Sequence, residues 1–173
     1  LVGLWMTLKQ LEIEKVITPH GLKWELDDRS VTLSWEGSDR EALDWLLKEA
    51  YQIKDGLIAL RGLDSKTMNL AIQVTMHQGI LGTFLQHTST HKSEGATSRS
   101  FIIDEDKPEI TVKYKALNSY VYQNFADSVC DKNGKLLTKA ISIAGWLNPG
   151  AVVKHNAFSS DTSFEELPEQ AFI

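Results

Sequence analysis

Gly79-Ile80-Leu81-Gly82-Thr83-Phe84-Leu85-Gln86-His87-Thr88-Ser89-Thr90-His91-Lys92-Ser93-Glu94-Gly95-Ala96-Thr97-Ser98-Arg99-Ser100 is the stretch on which the reading of this chain turns. Its first half is apolar with small residues. Its second half runs through hydroxyls, two histidines, Lys92 and Arg99, with one acid among them. So little apolar surface to bury reads as a mobile loop from Thr88 to Ser100. Hydroxyl, imidazole, ammonium and guanidinium groups are also the ones that contact phosphates and base edges. The loop is therefore either plain solvated surface or a nucleic-acid contact, and the flanking sequence has to decide.

On its C-terminal side, Phe101-Ile102-Ile103 and Ile110-Thr111-Val112-Lys113-Tyr114 read as strands, separated by an acidic turn from Asp104 to Lys107 and by Pro108. Tyr120-Val121-Tyr122 is β-prone, with helix open as an alternative through Cys130. Asn133-Gly134 is a strong turn signal. A strand from Leu136 to Ile143, a sharp turn at Asn148-Pro149-Gly150 and a strand at Ala151-Val152-Val153 follow. Thr162 with Glu165 has the form of a helix cap, and Pro168 would end that helix.

On the N-terminal side, Thr67 to Gln78 suits a helix that Gly79 and Gly82 break or kink, with Phe84 and Leu85 in a second short one. Leu4, Trp5, Leu8 and Leu11 recur at helical spacing and Thr18-Pro19-His20-Gly21 stops the run. Leu22, Trp24 and Leu26, then Val31, Leu33 and Trp35, alternate with polar residues, the pattern of a hairpin whose two tryptophans point inward. Ser38 and Glu41 form a capping box. A buried helical stripe continues through Leu43, Leu46, Leu47, Ala50 and Ile53 to a stop at Asp55-Gly56. Leu57-Ile58-Ala59-Leu60 is a short apolar strand. Helices and strands mix without strict alternation or internal repeat, so the fold class is α+β: a single mixed domain with antiparallel hairpins and several packed helices.

The totals fit one domain with a real core: 173 residues, 42 % hydrophobic and 24 % charged. Leu1 already lies in a helical pattern and Ala171-Phe172-Ile173 reads as the start of a strand. The chain is therefore expected to be a segment, 1–173, of a longer protein. A single cysteine, Cys130, makes no internal disulfide and fits a reducing, cytoplasmic setting. No apolar run approaches a membrane span. The net charge of −5 is uneven: residues 1–86 and 158–173 are acidic, whereas 87–157 carry nine Lys/Arg against seven Asp/Glu. Nucleic acid would have to bind a local patch, or the chain would act as one subunit of a basic assembly.

Catalytic patterns are sparse. Gly79-Ile80-Leu81-Gly82 lacks the remaining features of a phosphate-binding loop. Cys130 lies beside Asp127 and Asp131, which would raise a thiol pKa rather than activate it. His87 and His91 stand four apart, but Ser89-Thr90 and Gly95 favour a loop over the helix such a metal pair needs. Asp104, Glu105 and Lys107 have the loose form of a metal-dependent nuclease motif, and a charged turn between strands explains them as well. No cofactor is expected.

Four segments resemble one family in order along the chain. Gly3-Leu4-Trp5-Met6-Thr7-Leu8, Trp24-Glu25-Leu26-Asp27-Asp28-Arg29-Ser30-Val31, Gly82-Thr83-Phe84-Leu85-Gln86-His87, and Gly145-Trp146-Leu147-Asn148-Pro149-Gly150-Ala151-Val152-Val153-Lys154-His155 are similar to the large subunit of type I CRISPR Cascade complexes, in the Myxan-type, type I-B branch. The chain lacks that family's His-Arg-Ala-Gly turn and its C-terminal helical part, so the resemblance is to the N-terminal portion. It implies a non-catalytic, RNA- and DNA-binding subunit beside the 5′ end of the guide RNA. Such a subunit inspects the motif flanking the target (the PAM), for antiviral defence or RNA-guided transposition. The implied partners are guide RNA, target double-stranded DNA, the other Cascade backbone subunits and transposition-recruitment proteins, with no membrane.

On this reading His87, His91, Lys92 and Arg99 carry the nucleic-acid contact. Lys154, His155 and Asn156 form a second patch. Lys92 and Arg99 would hold phosphates, and Asn156 or a loop hydroxyl would read a base edge. The competing readings are the small metal-dependent nuclease and a protein-interaction module without nucleic-acid contact.

Overall fold

Local sequence rules account for the first half of the chain. The computed structural model describes residues 2–64, 68–82, 91–102, 108–144 and 163–171. Helix α1 spans Val2–Ile13 and buries Leu8 and Leu11. Strands β1 (Lys23–Leu26) and β2 (Val31–Ser34) pair antiparallel, with Trp24 opposite Leu33. Both expected tryptophan anchors face inward yet are only half-buried. Each indole keeps a polar partner at the surface: Trp24 Nε1 donates to Glu12 at 3.0 Å and Trp35 Nε1 to Asp39 at 2.9 Å.

Helix α2 (Asp39–Ala50) is the central element. Ser38 caps it, accepting from the Glu41 amide. Its Leu46 packs with Leu8 and Leu11 of α1 under the β1–β2 hairpin, while Leu43 and Leu47 meet Ala126, Val129 and Cys130 on the other side. The helix stops at Ala50, earlier than its apolar stripe suggests. Tyr51–Lys54 is strand β3, paired antiparallel with β4, Leu57–Leu60. Asp55-Gly56 is thus a hairpin turn, with φ +51° and +76°, the signature of a two-residue type I′ connection. Gly56 is required there twice over, because a Cβ would sit 2.7 Å from the Ala116 Cβ.

A short 3₁₀ turn, Arg61–Leu63, brings the buried Arg61 between the ends of α1 and α2. Its guanidinium bonds the carboxylates of Glu14 and Glu49, and its Nε donates to the Glu49 carbonyl at 3.1 Å. Helix α3 (Leu70–Gly82) runs unbroken through Gly79, contrary to the expected kink. Gly79 is exposed and costs the helix only about 1 kcal/mol.

The principal correction concerns the polar stretch. His91–Phe101 is not a loop but β5, an 11-residue strand paired antiparallel with β6, Ile110–Tyr120. Its residues alternate: Ser98 and Ser100 face solvent, while Thr97 and Arg99 turn inward. The apolar face that holds the ribbon down comes mainly from β6, whose Tyr114 and Ala116 pack with Leu57 and Val74. Register shifts near Ser93 and a φ of +119° at Gly95 mark an irregularity in β5.

Beyond β6 come a 3₁₀ turn (Val121–Asn124) and α4, Ala126–Val129. The Asn133-Gly134 turn forms as expected, closed by the Gly134 amide on the Asp131 carbonyl at 3.0 Å. The long strand expected from Leu136 shrinks to an isolated bridge between Cys130 and Leu136, followed by β7, Ile141–Ala144. β7 pairs with β8, Ser163–Glu166. The helix expected around Glu165 is therefore a strand. Pro168 opens helix α5 (Pro168–Ala171) rather than ending one, and Ala171 closes that helix instead of starting a strand. Phe84, Leu85, the 148–153 turn and strand, and Asp104, Glu105 and Lys107 lie outside the described residues. The α+β class holds, with all four described sheets two-stranded and antiparallel. Among the described residues no helix is long and apolar enough to cross a membrane.

Candidate nucleic-acid interface

The β5–β6 ribbon is the element that gathers the described members of the sequence-expected site. His91 and Lys92 open β5, opposite Tyr120 and Ser119, and Arg99 lies near its far end opposite Val112. Lys92 and Arg99 are seven residue steps apart along the strand, about 24 Å. His87, Lys154, His155 and Asn156 lie outside the described residues.

Arg99 belongs to the inner face. Its Nε donates to the Tyr114 hydroxyl at 2.8 Å, and its Nη2 reaches the Asp55 carbonyl at 3.4 Å and carboxylate at 3.9 Å. It fastens the ribbon to the β3–β4 turn, and its side chain is 34 % exposed.

The outer face is built differently. Ser98 stands opposite Lys113, Ser100 opposite Thr111 and Ala96 opposite Lys115. All six are exposed. The Ser100 and Thr111 hydroxyls are hydrogen-bonded at 2.7 Å. Among the described residues neither Lys113 nor Lys115 lies in an ion pair. Sequence reasoning missed both lysines. The signal was present: Thr111, Lys113 and Lys115 alternate with Val112, Tyr114 and Ala116, which places them on one face.

The ribbon's far edge is fixed by side chains of α3. His77, fully buried, accepts from the Ile58 amide at its Nδ1 (3.1 Å), which places the proton on Nε2, 2.7 Å from the Lys115 carbonyl. Gln78 donates to the Lys113 carbonyl at 3.0 Å, and the Leu117 amide to the Gly56 carbonyl at 2.8 Å. At the other end of the ribbon Tyr51, Tyr120 and Tyr122 cluster with ring centroids 4.9–5.9 Å apart. Burial raises the Tyr51 phenol, and burial together with the neighbouring Tyr120 and Tyr51 rings raises Tyr122 further, so both stay neutral near pH 7.

Other chemistry is weaker. Burial pushes the Cys130 thiol up, and Asp39, Asp131 and Asp127 add to this against Arg40, the opposite of what a thiol nucleophile requires. Among the described residues no three His, Cys, Asp or Glu side chains converge as metal ligands. An apolar cavity of about 250 Å³ opens between α1, α2 and the Arg61–Leu63 turn, lined by Leu4, Met6, Leu46 and Leu63 among others. No charged side chain lines it, so it offers nothing to a phosphate.

These features define an α+β domain that presents a long, well-anchored antiparallel ribbon with two lysines on its open face. The sequence model of the DevT N-terminal domain matches residues 1–173, and the chain belongs to that family. DevT is a Cascade-associated protein, and membership of its family is consistent with a CRISPR-related role. A search of curated proteins gave no match.

Proposed function

We propose that this chain is the N-terminal portion of the large subunit of a type I Cascade complex, a non-catalytic subunit that contacts the 5′ region of the guide RNA and the DNA motif flanking the target. The observation that carries the reading is family membership along the whole chain, in a Cascade-associated family. The exposed lysine- and hydroxyl-bearing ribbon supports it, because that is the equipment for phosphate contact. An overall charge of −5 suits a subunit that shares a basic groove with its neighbours instead of binding alone. Base pairing with the guide would read the target, and the protein would read the flanking motif.

The test is purification of the full-length protein from cells that express the whole operon. Guide RNA of uniform length should come with it, together with the backbone subunits. Recovery without RNA or backbone subunits would refute the reading. Incubating the purified complex with labelled duplex and Mg²⁺ addresses the nuclease alternative: cleavage abolished by Glu105→Ala would replace the non-catalytic assignment.

A further inference from the structure

We propose that the outer face of the β5–β6 ribbon seats the sugar–phosphate backbone of B-form duplex DNA, with the ribbon lying along the major groove. This rests on the nucleic-acid-binding reading above and adds which surface makes the contact and which form of nucleic acid it takes.

Register and burial define the surface. Ser98, Ser100, Thr111, Lys113 and Lys115 share one exposed face, while Tyr114 and Ala116 between them are buried. Lys113 and Lys115 are two residues apart, about 6.8 Å along the strand. Neighbouring phosphates of one duplex strand, which winds around the helix axis, lie at a comparable spacing through space. The hydroxyl groups add donors beside the ammonium groups. In the Ser100–Thr111 pair one hydroxyl donates to the other, leaving one proton for a phosphate oxygen. Ala96, Ser98 and Ser100 are small, so the β5 backbone can approach a groove wall closely. Glu109, exposed just before β6, confines the favourable path to the half of the face that bears the lysines.

The ribbon is also held in place before anything binds. Arg99 ties it to Tyr114 and Asp55, His77 and Gln78 bond its edge carbonyls, and Leu117 bonds Gly56. Groups fixed in advance lose little freedom on binding.

The form of nucleic acid follows from what the face lacks. Single strands are gripped by aromatic platforms on which bases stack, and the outer-face residues Ala96, Ser98, Ser100, Thr111, Lys113 and Lys115 include none. An RNA duplex has a major groove too narrow for side chains to read. The major groove of B-DNA, about 12 Å wide, admits a two-stranded ribbon.

The experiment uses the assembled complex with Lys113→Ala and Lys115→Ala together, compared with wild type and with Lys113→Arg/Lys115→Arg. The probes are a DNA duplex of unrelated sequence and the matching single strand, each titrated at about 50 and about 200 mM salt. Loss of two phosphate contacts should lower the salt slope for duplex by about 1.8, so the wild-type advantage grows about twelvefold between the higher and the lower salt. The arginine variant should keep the wild-type slope, and guide RNA content should be unchanged. Both lysines are exposed, so an unchanged melting temperature should accompany the effect. An alanine variant with wild-type duplex affinity and slope, in a complex still loaded with guide RNA, would overturn the inference and leave the proposed function standing. Equal losses for duplex and single strand, or loss of guide RNA from the variant, would overturn the assignment to duplex DNA. A wild-type complex that holds no guide RNA and binds no duplex would overturn the proposed function itself.

Discussion

Replacing Arg61 with Met should be among the most damaging changes in this domain. Its side chain is 7 % exposed, and its partners Glu14 and Glu49 are 14 % and 24 % exposed. The substitution keeps volume but removes both ion pairs and the bond to the Glu49 carbonyl. Two carboxylates would then be left near each other, largely out of water. Stripping one partner from a buried pair costs about 3–5 kcal/mol. Gln10 already donates to Glu14 and Gln52 to Glu49, each at 3.1 Å, and both acids keep some solvent. The lower half of that range is therefore expected, about 3–4 kcal/mol. In a domain of this size that lowers the melting temperature by about 6–16 °C. Urea denaturation and thermal melting measure it directly. Adding Glu14→Gln and Glu49→Gln to Arg61→Met should recover much of the loss, since no buried charge then lacks a partner. A single variant that loses under 1 kcal/mol, or a triple variant less stable than the single, would refute the reasoning.

His77→Leu should leave the Ile58 amide and the Lys115 carbonyl unpaired, at about 1–3 kcal/mol each, and hydrogen exchange at Ile58 should accelerate. Gly56→Ala should cost clearly more than Gly37→Ala, because both have positive φ but only Gly56 faces a 2.7 Å clash. About 1–2 kcal/mol is expected at Gly37 from its backbone alone, and chemical denaturation of the pair measures the difference. The Leu136 amide, then Trp35 and Lys135, hold the Asp39 carboxyl below its ordinary value. The unfolded chain therefore takes up that proton first as pH falls below about 4. The Asp39 contribution to stability is present above that pH and lost as pH drops through the lower folded value. A profile of stability against pH should flatten in that acid window in Asp39→Asn; an unchanged profile would count against the assignment.

What could be read from sequence was what neighbours in sequence determine. Helix α1, the β1–β2 hairpin, the Ser38 cap and the Asn133-Gly134 turn each rest on residues a few positions apart. Strand β5 was illegible because five of its eleven residues are hydroxyls or glycine, and its strand character comes from pairing with β6, which is distant in sequence. Tyr51-Gln52-Ile53-Lys54 fits either period, so Asp55-Gly56 read as a helix stop when it is a hairpin turn. At the candidate interface, the polar stretch drew attention to Lys92 and Arg99. Of the alternation that exposes Lys113 and Lys115, the sequence pattern covers Lys113 within Ile110–Tyr114, whereas Lys115 falls beyond that expected strand and is exposed because β6 runs on to Tyr120. The inward turn of Arg99 needed the position of Asp55, which sequence spacing does not supply.

The carbonyls of Lys113 and Lys115 are occupied by His77 and Gln78, side chains of a helix, where a third strand would otherwise lie. An open strand edge is a template for another molecule's backbone and a common start of aggregation. Here that side is closed without the sheet having to grow. The two helix residues hold the acceptors that another strand's amides would need on this edge. Loss of His77 would then be felt twice, once as lower stability and once as a chain that clumps while still largely folded.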